Sequence, residues 1–148
     1  MLCLDPGDTT GYAVFAQAEL RKAAQFRVQH LADFARLIDW VKPAYIVAEN
    51  YRVYAHRLKQ HTNSTVPTIQ YIGAIKLMAE LREIPLTLQW AFQAKGFGTD
   101  RRLKALDLYQ VNKPHANDAI RHAVYWYVFH KDNQKSGLEI PKTLHYNR

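Results

Sequence analysis

The amino-acid sequence predicts one α/β domain built around a mixed sheet, an expectation carried by three observations. Two short apolar runs at the start, Leu2 to Asp5 and Tyr12 to Ala16, are divided by the turn residues Pro6, Gly7 and Gly11, the pattern of a β-hairpin. A segment with helical periodicity is followed by the continuously apolar run Tyr45-Ile46-Val47-Ala48, which reads as a strand covered on both faces. A further helix, strand and helix complete the pattern. The total of 148 residues, 48% hydrophobic and 22% charged, suits one compact domain with a real core.

Element by element, the hairpin gains a third strand over Ala23 to Val28, after a polar turn around Glu19 to Lys22, to give an antiparallel meander. Gln29 to Val41 reads as the first helix, because Leu31, Phe34, Ala35, Ile38 and Val41 recur at helical spacing and Pro43 stops it. The strand Tyr45 to Ala48 follows and ends on Glu49. Tyr51 to Thr65 is polar, basic and aromatic without clean periodicity, a loop or a helix entry. A longer helix is expected from Val66 to Glu83, with Ile69, Ile72, Gly73, Leu77 and Leu81 along it, stopping before Pro85; Leu86 to Trp90 is the last strand. Ala91 to Lys113 contains Gly96-Phe97-Gly98 and the basic segment Arg101-Arg102-Leu103-Lys104, read as one short helix set in a contact loop. Pro114 suits the first position of a final amphipathic helix carrying Ala116, Ala119, Ile120, Ala123, Val124 and Tyr127. Trp40, Trp90 and Trp126 are expected in the core. Lys131 to Arg148 is a polar tail with no assigned role.

Composition narrows the partners. A formal charge of +7 and a pI near 9.6 favour a polyanion. The surplus is concentrated between residues 50 and 114, which hold ten Lys or Arg against four Asp or Glu, while the remainder holds ten against nine. Within that stretch Tyr51 and Tyr54 are interleaved with Arg52, His56, Arg57 and Lys59, a mixture suited to base stacking with phosphate contact. The single cysteine, Cys3, falls in a strand expected to be buried, which argues against thiol catalysis. No apolar run approaches the ~20 residues needed to span a bilayer. The opening Met1-Leu2-Cys3-Leu4-Asp5 lacks the pattern of a secretory signal, so the expectation is a cytoplasmic protein with no membrane contact.

Topology turns this pattern into chemistry. Strand, helix, strand in that order predicts a crossover that sets the Tyr45 strand parallel to the Leu2 strand, with their carboxyl ends side by side. Asp5 and Glu49 end those strands, so two acids distant in sequence meet at the sheet edge where α/β folds bind ligands. His115 and Asp118 share one face of the first turn of the last helix, and would complete the cluster if that helix packs nearby. Three close carboxylates repel one another unless a cation lies between them, and Mg²⁺ is the natural one. Two such ions can activate a water and stabilise the leaving oxygen in an in-line attack on a phosphodiester, which is nuclease chemistry.

Three segments carry a family resemblance: Leu4-Asp5-Pro6-Gly7 with Thr10-Gly11-Tyr12-Ala13, then Ile46-Val47-Ala48-Glu49, then His115-Ala116-Asn117-Asp118-Ala119. In order and spacing they resemble the RuvC-like Holliday-junction resolvases of the RNase H-like nuclease superfamily, over a nuclease domain of residues 1–130, with 131–148 as a tail outside it. The resemblance implies an RNase H-like mixed five-stranded sheet with helices on both faces. It also implies a catalytic and metal-binding set of Asp5, Glu49, Asp118 and His115, with two Mg²⁺ per site and Mn²⁺ as a substitute. His115 occupies a position where the family varies between histidine and aspartate, and is either a metal ligand or a base that orients water.

The implied activity is endonucleolytic resolution of four-way DNA junctions by paired symmetric nicks, leaving 5′-phosphate and 3′-hydroxyl ends. The implied assembly is a homodimer joined through the Val66 to Glu83 helix, in a bacterial or phage-infected cell. Tyr51, Arg52, Tyr54, Arg57 and Lys59 follow the catalytic glutamate where the family probes the junction centre. Lys95 falls where the family has a basic residue near the scissile phosphate, and Arg102 or Lys104, beside Arg101, matches a second. Rival readings are a debranching nuclease with looser substrate choice and a non-catalytic DNA-binding module on the same fold. An actin-like ATPase is a third, suggested by Asp5-Pro6-Gly7-Asp8-Thr9 but opposed by a length that supplies only one of the two domains such enzymes close around a nucleotide.

Overall fold

The structure is a computed structural model describing residues 1–51 and 67–130. Its elements are β1 (Leu2–Asp5), β2 (Thr9–Ala16), β3 (Glu19–Arg27), α1 (Ala32–Val41), β4 (Ile46–Asn50), α2 (Pro67–Leu81), β5 (Leu86–Trp90), α3 (Ala91–Phe97), α4 (Asp100–Ala105) and α5 (Pro114–Phe129). One five-stranded sheet runs in the order β3-β2-β1-β4-β5. The β1–β2 and β2–β3 pairs are antiparallel and the β1–β4 and β4–β5 pairs parallel, as the predicted mixed sheet requires.

Alternation along the central strands divides the core into two layers. Leu2, Leu4, Ile46 and Ala48 pack with Phe34, Leu37 and Ile38 of α1 and with Ala74, Ile75 and Ala79 of α2. Cys3 and Val47 point to the opposite face and pack with Ala119, Ile120, Ala123, Val124 and Trp126 of α5 and with Leu103 of α4. Both faces of β1 and β4 are therefore dry, which is why these strands read as uninterrupted apolar runs. Cys3 is fully buried, as expected. No helix among the described residues is long and apolar enough to cross a membrane.

Several expected boundaries move for local reasons. The turn between β2 and β3 lies at Gln17 and Ala18, both with positive φ, rather than at Glu19 to Lys22, so β3 begins at Glu19. No Gly or Asn marked that turn. The first helix starts at Ala32 instead of Gln29, because the Asp33 carboxylate accepts from the Gln29 and His30 N–H groups at 2.8 and 2.9 Å and ends the helix there. Ala91 to Lys113 holds two helices rather than one, separated at Gly98 and Thr99, and the Thr99 hydroxyl caps α4 by accepting from the Arg102 N–H. Trp126 is buried, but Trp40 is 58% exposed, its ring edge-on to Tyr12 and covered by Lys22 Nζ at 4.5 Å. Trp90 is half-buried.

Candidate metal centre

One line of residues crosses all five strands on the face covered by α5. Gln25 pairs with Gly11, Gly11 with Asp5, and Glu49 with Gln89; Asp5 and Glu49 stand one residue beyond the paired Leu4 and Ala48. This is the face of Cys3 and Val47, so alternation alone turns both acids toward α5. The helix lies over that line and meets it repeatedly. The His115 N–H donates to Gln25 Oε1 at 3.2 Å, and His115 Nδ1 is 2.9 Å from Asp5 Oδ2. Seven residues later, ~10 Å further along the helix and about two strand spacings across the sheet, His122 sits between Glu49 and Gln89. Its Nε2 is 3.0 Å from Glu49 Oε2 and its Nδ1 2.9 Å from Gln89 Oε1.

Gly11 sets how closely the helix approaches. A Cβ at this position would lie 1.9 Å from the His115 carbonyl oxygen and 2.7 Å from the Ala116 nitrogen, so no other residue fits without lifting the first turn of α5. Asp5, which might have served only to cap the hairpin turn, does not: the Gly7 N–H donates to the Thr10 hydroxyl, which in turn donates to the Gly7 carbonyl. Its carboxylate is kept for the site.

Asp118 lies between the two histidines on α5. Lys95 Nζ of α3 is 3.0 Å from Asp118 Oδ2 and 3.6 Å from Glu49 Oε2, bridging the two acids. The other Asp118 oxygen accepts from Arg121, whose guanidinium also binds Asp100 and donates to the Gly98 carbonyl at 2.7 Å. A Cβ at Gly98 would press on the Arg121 stem at 2.8 Å, so this glycine makes room for the side chain that holds Asp118.

The electrostatics match the crowding. Burial, reinforced by the charge of Glu49, pushes the Asp5 carboxyl up from 3.8 to about 6, with Asp118 adding to the rise and His115 and Lys95 opposing it. Burial also works against ionisation of Glu49, but the hydrogen bond from His122 and the charge of Lys95 outweigh it and hold that carboxyl below its ordinary value. Lys95 is held above its usual value because Asp118 and Glu49 outweigh the cost of its burial. Among the described residues no group of three or more His, Cys, Asp or Glu side chains stands close enough together, as placed, to hold a metal ion. The chemistry of the donors nevertheless suits a hard divalent cation: carboxylates from β1, β4 and α5, one of them kept from ionising mainly by burial and the other two bridged by a lysine ammonium.

The same backbone is found among solved structures. Thermus thermophilus RuvC in complex with a Holliday junction substrate superposes with a TM-score of 0.60 at 16% identity, covering 93% of this chain and 98% of that one. A second Thermus thermophilus RuvC structure gives 0.58 at 17% identity with the same coverage. The fold is that of RuvC. No protein-family model and no curated protein matches the sequence, so the likeness to RuvC lies in the α/β architecture rather than in residue identity.

Of the residues singled out from the sequence, Asp5 meets His115, and Lys95 meets both Glu49 and Asp118. Tyr51 is half-buried just after β4, while Arg52, Tyr54, Arg57 and Lys59 lie outside the described residues. Arg101 and Lys104 are exposed on α4, Lys104 with its ammonium 4.8 Å over the Tyr109 ring. Arg102 is turned back onto α3, stacked 4.1 Å over the Phe97 ring and donating to the Phe97 carbonyl. Sequence reasoning missed Gln25, Gln89, Arg121 and His122. The available signal was spacing, since His122 follows His115 by seven residues and Asp118 by four, on the same helical stripe.

Proposed function

We propose that the chain is a metal-dependent, structure-selective DNA endonuclease that resolves four-way junctions by paired symmetric nicks. The observation that carries this reading is the meeting of Glu49 and Asp118, from β4 and α5, at Lys95, with Asp5 of β1 within reach of their charge, on the fold that RuvC uses. Asp5, Glu49 and Asp118 would hold Mg²⁺, or Mn²⁺ in its place. Bound there, two such ions would supply the charge that lowers the pKa of an attacking water and stabilises the departing 3′ oxygen, leaving 5′-phosphate and 3′-hydroxyl ends.

The chain's own groups supply the rest. Lys95 is the cation best placed to turn from the carboxylates to a phosphate oxygen once metal neutralises them. His115, whose side chain is 42% exposed and tied to Asp5, is placed either to take a ligand position or to orient the water. Arg121 fixes Asp118. Arg101 and Lys104 offer phosphate contacts on α4, with Tyr51, Arg52, Tyr54, Arg57 and Lys59 as the junction-contacting segment after β4.

A four-way junction has two-fold symmetry, so a two-fold homodimer would bring two such sites to opposed strands. The outer side of α2 supports that assembly, because Ile69, Leu77 and Leu81 are 50%, 50% and 66% exposed, spaced with Gly73 at four-residue intervals along one stripe. Incubation of the protein with a synthetic four-way junction and with a linear duplex of matched sequence, in Mg²⁺ or Mn²⁺, tests the proposal beside Asp118→Asn. Symmetric nicking of the junction that disappears in the variant is expected. Equal cutting of the linear duplex would overturn junction selectivity, and undiminished cutting by Asp118→Asn would overturn the site.

A further inference from the structure

One fully enclosed polar side chain beside the site has no task in either the sequence pattern or the nuclease reading. His122 is 0% exposed and Gln89 2% exposed, both within the layer between the sheet and α5. Two polar side chains in a dry layer are costly unless each satisfies the other or a third group. They form a chain from Gln89 through His122 to Glu49 Oε2, at 2.9 and 3.0 Å.

Hydrogen-bond accounting fixes what this chain delivers. A carboxylate only accepts, so the ring nitrogen facing Glu49 must carry the proton and donate through Nε2. The Gln89 amide, as drawn, aims its oxygen at Nδ1 and leaves its own Nε2 buried without a partner. Turned over, the amide nitrogen donates one of its two hydrogens to Nδ1 and is no longer without a partner. In that arrangement Gln89 locks the ring in the tautomer that donates to Glu49. Either way the Glu49 oxygen that faces Lys95 at 3.6 Å is also tied from inside the core.

We infer that His122 is a positioning residue that holds the Glu49 carboxylate in its metal-binding orientation, with Gln89 fixing the tautomer. The inference rests on the reading of Glu49 as a metal ligand. His122 touches neither DNA nor metal, being sealed beneath the site. Its contribution is to remove the rotational freedom of a ligand, as partners behind metal ligands generally do, and loss of such a partner weakens metal binding by ~10–100-fold.

The test measures Mn²⁺ dissociation constants by electron paramagnetic resonance titration, together with junction-cleavage kcat and KM. The proteins compared are the wild type, His122→Phe, His122→Gln and Gln89→Met, with Asp118→Asn as the loss of a direct ligand. His122→Phe keeps the ring volume without a donor and is expected to bind Mn²⁺ ~10–100-fold more weakly with KM for DNA unchanged. His122→Gln retains an N–H directed at Glu49 and is expected to recover most of the affinity. Should His122→Phe fail to fold, Gln89→Met and long-range ¹H–¹⁵N spectra of the wild type carry the test, the spectra being expected to report a proton on His122 Nε2. Wild-type Mn²⁺ affinity in a folded His122→Phe, or in Gln89→Met together with a His122 that lacks the Nε2 proton, overturns the inference. A wild type that binds Mn²⁺ yet leaves every branched substrate intact would overturn the nuclease reading alone.

Discussion

Replacing Asp5 by Asn should stabilise the metal-free protein while abolishing the metal binding proposed for it, and the size of the effect follows from the carboxyl's surroundings. Burial and the neighbouring acids raise Asp5 from 3.8 to about 6. The folded state therefore holds the proton more tightly than the unfolded chain does. Below the unfolded value both states are protonated and the group contributes nothing. As pH rises from the unfolded value towards the folded one the unfolded state gains an ionisation that the folded state resists, so stability is lost, and the loss levels off above the folded value. At about 1.4 kcal/mol for each pH unit of separation, the full penalty is ~3 kcal/mol, reached above about pH 7.

Asn carries no such charge, keeps the volume, and its amide oxygen can still meet His115. Thermal or urea unfolding in a chelator should show Asp5→Asn and wild type nearly equal at about pH 4. The variant should be more stable by ~3 kcal/mol at about pH 8, or ~6–12 °C in Tm for a chain of this size. Saturating Mg²⁺ should close the gap by stabilising the wild type alone, since binding to the folded state adds to stability by mass action. A difference between the two proteins that does not change with pH would refute the reasoning, as would an Asp5→Asn protein that is the less stable of the pair at about pH 8.

Three further outcomes are expected. Gly11→Ala drives a methyl group into the His115 carbonyl and should cost ~3 kcal/mol or lift the start of α5, read as lower stability with lost Mn²⁺ binding; unaltered binding would refute the close approach. Lys95→Ala removes the ammonium that bridges Glu49 and Asp118, so metal should bind more tightly while cleavage at saturating metal falls by ~100-fold; unchanged cleavage would remove Lys95 from the chemistry. Leu77→Glu puts a charge in the middle of the α2 stripe and should convert a dimer to a monomer in light scattering without loss of fold, and a dimer that persists would move the interface elsewhere.

The part of this site legible in the sequence is the part written in short-range patterns. A strand buried on both faces that ends in an acid is visible as Leu2 to Asp5 and again as Tyr45 to Glu49, and the crossover rule makes those strands parallel neighbours. Asp118 was visible because Pro114 fixes where its helix begins. Gln89 and His122 escaped for the opposite reason. Each sits alone in an apolar pattern, and each acquires a partner only through the β4–β5 register, which sets Gln89 beside Glu49, and through the seat of α5 on the sheet. In the sequence Gly11 has the look of a turn residue, whereas its missing side chain is needed by a helix more than a hundred residues later. The β2–β3 turn was misplaced because Gln17 and Ala18 adopt a left-handed backbone without the residues that usually announce it.

The two histidines of α5 show how one helix can serve a site in two ways. Both face the sheet, seven residues apart, and each meets a carboxylate at about the same distance. Their surroundings separate their roles. The His115 side chain is 42% exposed in the first turn, so it has room to exchange Asp5 for a water or a cation. His122 is enclosed on every side and has no alternative partner without breaking the core. A metal centre needs both properties: ligands that do not wander before the cation arrives and one group free to respond when it does. Placing the helix over a line of residues that crosses the whole sheet provides both, because the helix is partly exposed at His115, above the buried Asp5, and sealed at His122, above Gln89. The close approach permitted by Gly11 is what joins them: lifting the helix there would loosen His115 and Asp118 first and leave His122 seated longest.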